Sequence, residues 1–420
     1  MPPTSESTPN QSNNNHAELA ECNLVPSPFI NDQGTTSAGA IHHDSPQPSR
    51  RRSTHEESTM GTSSMEYKRQ RLELNGYDDN ALAVFLSPEA QPSIQRYNPI
   101  QQQFIRWCEL HRFNAYNPDP AQIINYLAYG HLTLHWQVAT CLNYKSAILA
   151  LYDQPARQQI QNDPNFTRFF TNLRALTVRS FDKPNYDLTP VLDKLHSWGP
   201  NDLLTAERLT RKLCFLLAIT GFLRHADLHR INMLKTSVLA TTSQLKLVID
   251  CPKEKRGGSP IERVVFINQH PDPLLCPVLV YQAYVTRIAT TPCLGPHPTR
   301  PSRTIGFLVR SLNDFNSPVS VQTISRHVRS LLNRITVHDD SGQRRPLPRA
   351  RAVGSSNAVL HGANLDDILV HGSWASACVF DNFYRLSRQT VTNFTTMALS
   401  SNPLGLNTLD TQSESLTHDQ

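Results

Sequence analysis

Trp374 and Tyr384 lie ten positions apart in HGSWASACVFDNFYRLSR, residues 371 to 388. A tyrosine hydroxyl acts as a nucleophile when neighbouring cations draw off its proton and hold a reactive centre against it. The chain offers such cations at three places. Arg224 follows a glycine in TGFLRHADLHRI, residues 220 to 231, and a guanidinium at a helix break reaches a phosphate with paired N–H donors. Asp227 lies one turn further on, where a carboxylate can orient that guanidinium. Lys253, with Lys255 second, crowds the end of a hairpin together with Arg256 in DCPKEKRGG. A lysine there reaches a phosphate or a leaving oxygen. Arg351 opens a helix with small residues after it, in RARAVGSSNAVL, and small side chains let another backbone come close. Arg344, Arg345 and Arg349 compete with Arg351 for that place. Each residue also has a plain structural reading. Aromatics at this spacing pack into cores, single arginines sit on surfaces, and charged hairpin loops are solvated.

These residues need elements to position them. TAERLTRKLCFLLAITGF predicts a helix with a buried face that ends near Gly221. QLKLVIDCPK and PIERVVFIN are β-branched runs on either side of EKRGGS, the pattern of a β-hairpin. CPVLVYQAYVTRI and SVQTISRHVRSLLNRI are helical, and ARAVGSSNAVLHGANLDDILVHGSW reads as two short helices joined at Gly362. A proline-rich stretch, residues 292–302, separates the hairpin region from the last third.

Upstream, four segments have helical periodicity: IQRYNPIQQQFIRWCELHRF, DPAQIINYLAYG, LHWQVATCLNYKSAILALY and PNFTRFFTNLRAL. The second starts at Asp119-Pro120 and stops at Gly130. No strand pattern of convincing length lies among them. The expected organisation is a disordered tail at 1–75, a helical domain at 90–178, a linker around RSFDKPNYDLTP, a mixed domain at 189–398 and a disordered tail at 400–420. The expected fold class is mainly α: a helical domain followed by an α+β domain with a small antiparallel sheet.

Composition excludes several classes. Hydrophobic residues make up 39% and charged residues 18% of the 420, so most of the chain is expected to be globular. The net charge is +5, a mild basicity that does not by itself demand nucleic acid. The longest apolar run, LCFLLAITGFL, is too short to span a bilayer, and no signal-like apolar stretch opens the chain. The eight cysteines form no CxxC pair, which favours reduced thiols in an intracellular protein. His225 and His229 are four apart, but no third ligand at a suitable spacing supports a zinc site. Arg50 to Arg52 and the KRQR at 68–71 have the spacing of a loose bipartite nuclear localisation signal; a solvated charge run is the alternative.

The ordered series Arg224, Lys253, Arg351, Trp374, Tyr384 resembles that of the tyrosine recombinase (phage-integrase-like) superfamily. The pieces that carry the resemblance are TGFLRHADL, IDCPKEKRG, RAVGSSNAVLHGANLDDILVHGSWAS and FDNFYRL. The helical stretch from FIRWCELH to YKSAILALY is similar to the core-binding domain of that superfamily, so the likeness spans roughly residues 93 to 396. The nearest type is that of eukaryotic mobile elements, crypton and DIRS-like. The resemblance implies a nuclear enzyme that cuts and rejoins double-stranded DNA without metal or cofactor, as a tetramer on two DNA sites. It implies that Tyr384 attacks the scissile phosphate, that Arg224 and Arg351 bind its non-bridging oxygens, and that Lys253 protonates the leaving oxygen. Trp374 takes a position often held by histidine, and Asp227 matches an acidic residue after the first arginine.

One departure stands out. The superfamily usually has a histidine three residues before the second arginine, and here that residue is Pro348. His371, one turn before Trp374, is a possible replacement. The departure motivates a second reading, a DNA-binding protein descended from such an enzyme that no longer cleaves. A third is a type IB topoisomerase, which shares the tyrosine chemistry without pairing sites.

Overall fold

The computed structural model describes residues 64–87, 94–117, 119–178, 186–335, 347–390 and 392–399. Arg50 to Arg52, the linker at 179–185, Arg344 and Arg345, and the tail at 400–420 lie outside the described residues. The chain divides into two compact units, 1–179 and 180–420.

In its described part the first unit is helical. Its elements are α1 (Ser64–Leu74), α2 (Asp79–Phe85), α3 (Ile94–Leu110), α4 (Pro120–Leu132), α5 (Val138–Leu149), α6 (Gln154–Asn162) and α7 (Pro164–Ala175). Aspartates set the starts. Asp119, Asp153 and Asp163 each cap a helix by accepting a backbone N–H, and each cap is followed closely by a proline, whose missing N–H costs nothing in a first turn. Phe104, Ile123, Tyr126, Leu127, Ile148 and Phe170 fill the core. The expected stop at Gly130 is overridden: α4 runs on to Leu132, and the glycine instead makes room for the Trp136 ring, which occupies the space where a side chain at 130 would stand. α6, between two expected helices, has no strong apolar stripe in the sequence and was not foreseen.

The structure also corrects the expected tail. α1 falls inside 1–75 and is docked: Arg71 Nε donates to Asp153 Oδ2 at 2.7 Å, and the Tyr67 ring stacks on Tyr116 at 4.1 Å. Lys68, in the same KRQR cluster, has its pKa lowered first by burial and then by Arg157. Half of that cluster thus serves the helical unit.

The second unit is built around α9 (Ala206–Thr220), which follows α8 (Thr189–Trp198). Thr205 caps α9, and nine of its residues are buried, as a helix packed on several sides requires. It packs against α11 (Pro277–Arg287), α12 (Val321–Leu332) and α13 (Ala350–Leu360). The approach of α13 is close: a Cβ on Gly354 would stand 2.1 Å from the Ile219 carbonyl oxygen. The small residues after Arg351 therefore do what their size suggested.

The sheet is antiparallel, in the order β1 (Ser237–Val238), β2 (Leu245–Arg256), β3 (Ser259–Ile267). β2 and β3 form the expected hairpin, tighter than EKRGGS suggested, with Gly257 and Gly258 alone between the strands. The proline-rich 292–302 is not a bare separator. It forms β4 (Leu294–His297) and part of β5 (Arg300–Gly306), a second antiparallel pair. Prolines are tolerated there because a two-stranded ribbon is all edge. The chain continues through α10 (His225–His229) after α9, and α14 (Leu365–Gly372), α15 (Ala377–Phe383) and α16 (Phe394–Leu399) at the end. The fold class is as expected, mainly helical with a small antiparallel sheet.

Candidate active site

α9 ends at Gly221, and the chain turns so that Arg224 becomes the N-cap of α10. Asp227, at the third position of α10, accepts the backbone N–H of Arg224 at 3.0 Å. That bond fixes the backbone from which the Arg224 side chain leaves. Asp227 is fully buried and is the common counter-ion of four guanidiniums. Arg224 Nη1 is 3.5 Å away, Arg230 Nη2 3.7 Å, Arg351 Nη1 3.8 Å and Arg263 Nη1 3.9 Å. A buried carboxylate inside such a cluster offsets cation repulsion that water cannot screen.

Arg351 is the second residue of α13 and is 1% exposed. Its Nη2 donates to the Gly372 carbonyl at 2.5 Å, tying α13 to the end of α14. Its guanidinium lies 4.5 Å from the Trp374 ring centre and 4.9 Å from that of Tyr384. The two rings are 5.0 Å apart. α14 ends at Ser373 with a left-handed φ of 53°, and Ser376 caps α15. This turn and the short helix bring Trp374 and Tyr384 back onto one guanidinium. Ser356 on α13 locks the segment: its hydroxyl donates to the Tyr384 carbonyl at 3.0 Å and accepts the Leu386 N–H at 2.8 Å.

The Tyr384 hydroxyl accepts from Arg224 Nη2 at 3.3 Å. Burial alone would raise the tyrosine pKa, but Arg224 and Arg351 outweigh it and the net shift is downward. The phenolate is thus favoured where a nucleophile is wanted. Arg351 has its pKa lowered to about 10, first by burial and then by Arg224, and stays charged at neutral pH. Trp374 belongs to an apolar cluster with Phe222, Ile368 and Phe380, so the core-packing reading of this residue is also correct. Its indole Nε1, buried, has no hydrogen-bond partner among the described residues. An orphaned donor at an anion site is a group awaiting an acceptor.

Four of the six expected site residues, Arg224, Arg351, Trp374 and Tyr384, therefore meet, with Asp227 behind them. Lys253 does not join them in the same way. It is exposed near the end of β2, while the next residue, Glu254, is turned inward. Glu254 Oε1 accepts from Arg224 Nη1 at 2.6 Å and from Arg351 Nη1 at 3.4 Å. Glu254, Arg230, Arg263 and Ser356 were all missed from the sequence. Glu254 stands among basic residues in PKEKR, and nothing in that spacing tells an inward carboxylate from a solvated one. His371 is not the expected replacement imidazole. Its Nε2 pairs with the Thr220 carbonyl at 2.7 Å, and Arg263 Nη2 donates to the His371 carbonyl at 2.6 Å. Burial lowers its pKa.

No family model matches the chain, and no curated protein matches it. Among solved structures it is similar to XerA recombinase, with 12% identity over 81% of this chain and 99% of that one, at a TM-score of 0.35. It is similar to the integrase of transposon Tn1549 in complex with transposon right-end DNA, with 14% identity over 80% and 98% and a TM-score of 0.47. It is also similar to a lambda integrase tetramer bound to a Holliday junction, with 13% identity over 75% and 77% and a TM-score of 0.40. At such identities and scores these likenesses decide nothing about chemistry, which has to be argued from the site.

Proposed function

We propose that the protein cuts and rejoins double-stranded DNA through a covalent bond between Tyr384 and a 3′-phosphate, as a recombinase of the mobile-element type. The observation that carries this reading is the convergence of Arg224 and Arg351 on one carboxylate beside the Tyr384 hydroxyl. The two arginines already hold an anion beside the hydroxyl, and a phosphodiester is the anion a nucleophilic tyrosine can use. In the reaction Tyr384 Oη gives its proton to water and bonds to phosphorus, and the bond from phosphorus to the 5′-oxygen breaks. Arg224 and Arg351 neutralise the charge that builds on the non-bridging oxygens, and the Trp374 N–H adds a donor. Lys253 supplies the proton that the 5′-oxygen takes. A second 5′-hydroxyl reverses the steps and reseals the strand. Assembly as a tetramer on two DNA sites and action in the nucleus belong to the same proposal, supported by the sequence resemblance.

A second reading is favoured by two observations, the proline at 348 and the engagement of His371 with Thr220. Without an imidazole at the phosphate, the same arginines could serve DNA affinity alone. The test separates the two. The protein is incubated with nicked suicide duplexes of pooled sequence, and denaturing gels are read for a covalent adduct. An adduct in the wild type that is absent from Tyr384→Phe supports cleavage. Salt-sensitive DNA binding with no adduct supports the binding protein.

A further inference from the structure

We propose that Glu254 is a built-in phosphate surrogate: in DNA-free protein its carboxylate fills the anion site of Arg224 and Arg351, and an incoming phosphate displaces it. This rests on the reading of the two arginines as the phosphate site and deepens it.

Three observations carry the inference. The first is the contact itself: one carboxylate oxygen bridges both guanidiniums beside the Tyr384 hydroxyl, as a non-bridging phosphate oxygen would. The second is that Glu254 makes incomplete use of the site. Its other oxygen, Oε2, is buried with no hydrogen-bond partner among the described residues, as are Arg351 Nε and Trp374 Nε1. A tetrahedral phosphate offers more acceptor oxygens than a planar carboxylate and can serve donors that Glu254 leaves unmet. The third is that the segment carrying Glu254 lies outside the ladder that pairs β2 with β3. Pairing between β2 and β3 jumps from Asp250–Glu262 to Lys255–Pro260, so residues 251 to 254 face Ile261 alone. Cys251 takes a left-handed φ of 43° at the start of this bulge. Residues outside the ladder can withdraw without breaking it.

The bulge also gives the exchange a direction. Successive side chains of an extended chain point to opposite faces, so a shift of one residue that removes Glu254 presents its neighbour Lys253. Expulsion of the surrogate and arrival of the proton donor are then one movement. The hairpin end is steadied meanwhile by Arg256, whose Nη2 donates to Ser373 Oγ at 3.2 Å.

The test uses the full chain and inorganic phosphate at fixed pH, with binding followed by calorimetry and by the rise in melting temperature. If Glu254 fills the site most of the time, wild-type affinity is reduced by the fraction of time the site is open. Glu254→Gln keeps the shape and removes the charge, and is expected to bind phosphate at least about tenfold more tightly. Glu254→Asp, which draws the carboxylate back and keeps the charge, is expected to lie between the two and guards against a misfolded glutamine variant. Adding Arg224→Gln to Glu254→Gln is expected to abolish the gain. Equal affinity in wild type and Glu254→Gln, or a gain that survives loss of Arg224, overturns the proposal. The cleavage reading fails separately. Tighter phosphate binding by Glu254→Gln with no Tyr384 adduct from either protein overturns cleavage and leaves the surrogate standing.

Discussion

Arg224, Arg351, Trp374 and Tyr384 are carried on helix ends, whereas Lys253, Glu254 and Arg256 are carried on the far end of one long strand. The first group is locked. Arg351 is buried, bonded to Gly372 and stacked on two rings, and Arg224 leaves a backbone pinned by Asp227. The second group sits at and just beyond a bulge, where pairing resumes only at Lys255 and Arg256 before a two-glycine turn, and Lys253, Lys255 and Arg256 are all exposed. The difference teaches a division of labour. A site that must bind a phosphate in one geometry benefits from cations that do not reorganise. A group that must arrive, give a proton and leave benefits from a strand that does.

The sharpest way to break this comparison is to remove the keystone of the locked half. Asp227→Asn leaves four guanidiniums around a neutral amide. It is expected to cost about 3–5 kcal/mol of stability, the range for breaking a buried charge cluster. Urea unfolding of the full chain measures it. A loss below about 0.5 kcal/mol, the ordinary range of surface substitutions, shows that the helix-borne half is not held by its charges.

Next in size is catalysis by the two halves. Arg224→Gln removes a donor to the transition state and is expected to slow adduct formation by about 10²–10³-fold. Lys253→Ala is expected to slow it by about 10²–10⁴-fold, the usual worth of a general acid, while leaving the melting temperature unchanged within about 1 °C. A substrate whose leaving group needs no proton, such as a phosphorothiolate with sulfur at the 5′ position, restores Lys253→Ala if the lysine is that acid. It does not restore Arg224→Gln. Rescue of both, or of neither, removes the distinction between cradle and proton donor.

What the sequence disclosed follows the same line. Two helix ends were legible because each carries a local signal, Gly221 before Arg224 and small residues after Arg351; the short helix before Tyr384 was not foreseen. The hairpin was legible as alternation broken by glycines. The inward turn of Glu254 was not, because a bulge reverses which residues face in, and nothing in DCPKEK marks where it falls. Arg263 was hidden for a related reason. It stands in PIERVVFIN as one polar position of an alternating strand, and only the packing of β3 shows that it faces Asp227. The second hairpin was masked by prolines that read as punctuation. α1 was masked by a polar composition that reads as tail, although Tyr67 and Arg71 dock it.

A smaller effect separates the buried cluster from its rim by pH. His225, next to Arg224, has its pKa lowered to about 4, by burial first and then by Arg329 and Arg349. In the unfolded chain it titrates near 6.5. Its folded value is depressed, so between those values the unfolded state binds a proton that the folded state refuses. Its contribution is fully present above pH 6.5 and is lost as pH falls toward 4. The loss is at most about 3 kcal/mol. Burial pushes the Glu254 carboxyl up, but its neighbours, Arg224 first, outweigh that and bring it below its ordinary value. His225→Gln is expected to flatten the fall in stability between pH 6.5 and 4, followed by urea midpoints. An unchanged acid profile assigns the loss to other histidines, of which His229, His327 and His371 are also depressed by burial.

The smallest expected effect lies at the tip of the movable half. Gly257 and Gly258 have φ of 55° and 78°, the positive values that a two-residue hairpin turn demands at both centres. A side chain at 258 meets nothing within 4 Å, so the only penalty of Gly258→Ala is the backbone conformation, about 1 kcal/mol. Because the tip is joined to the core through a bulge, the strain is expected to reach the bulge that carries Glu254 and go no further. The melting temperature is expected to fall by only a few degrees. The affinity for inorganic phosphate is expected to rise, since a strained tip holds Glu254 less firmly on the arginines. If phosphate affinity is unchanged, or if the variant loses as much stability as Asp227→Asn, the hairpin is part of the rigid frame and the contrast between the two halves does not hold.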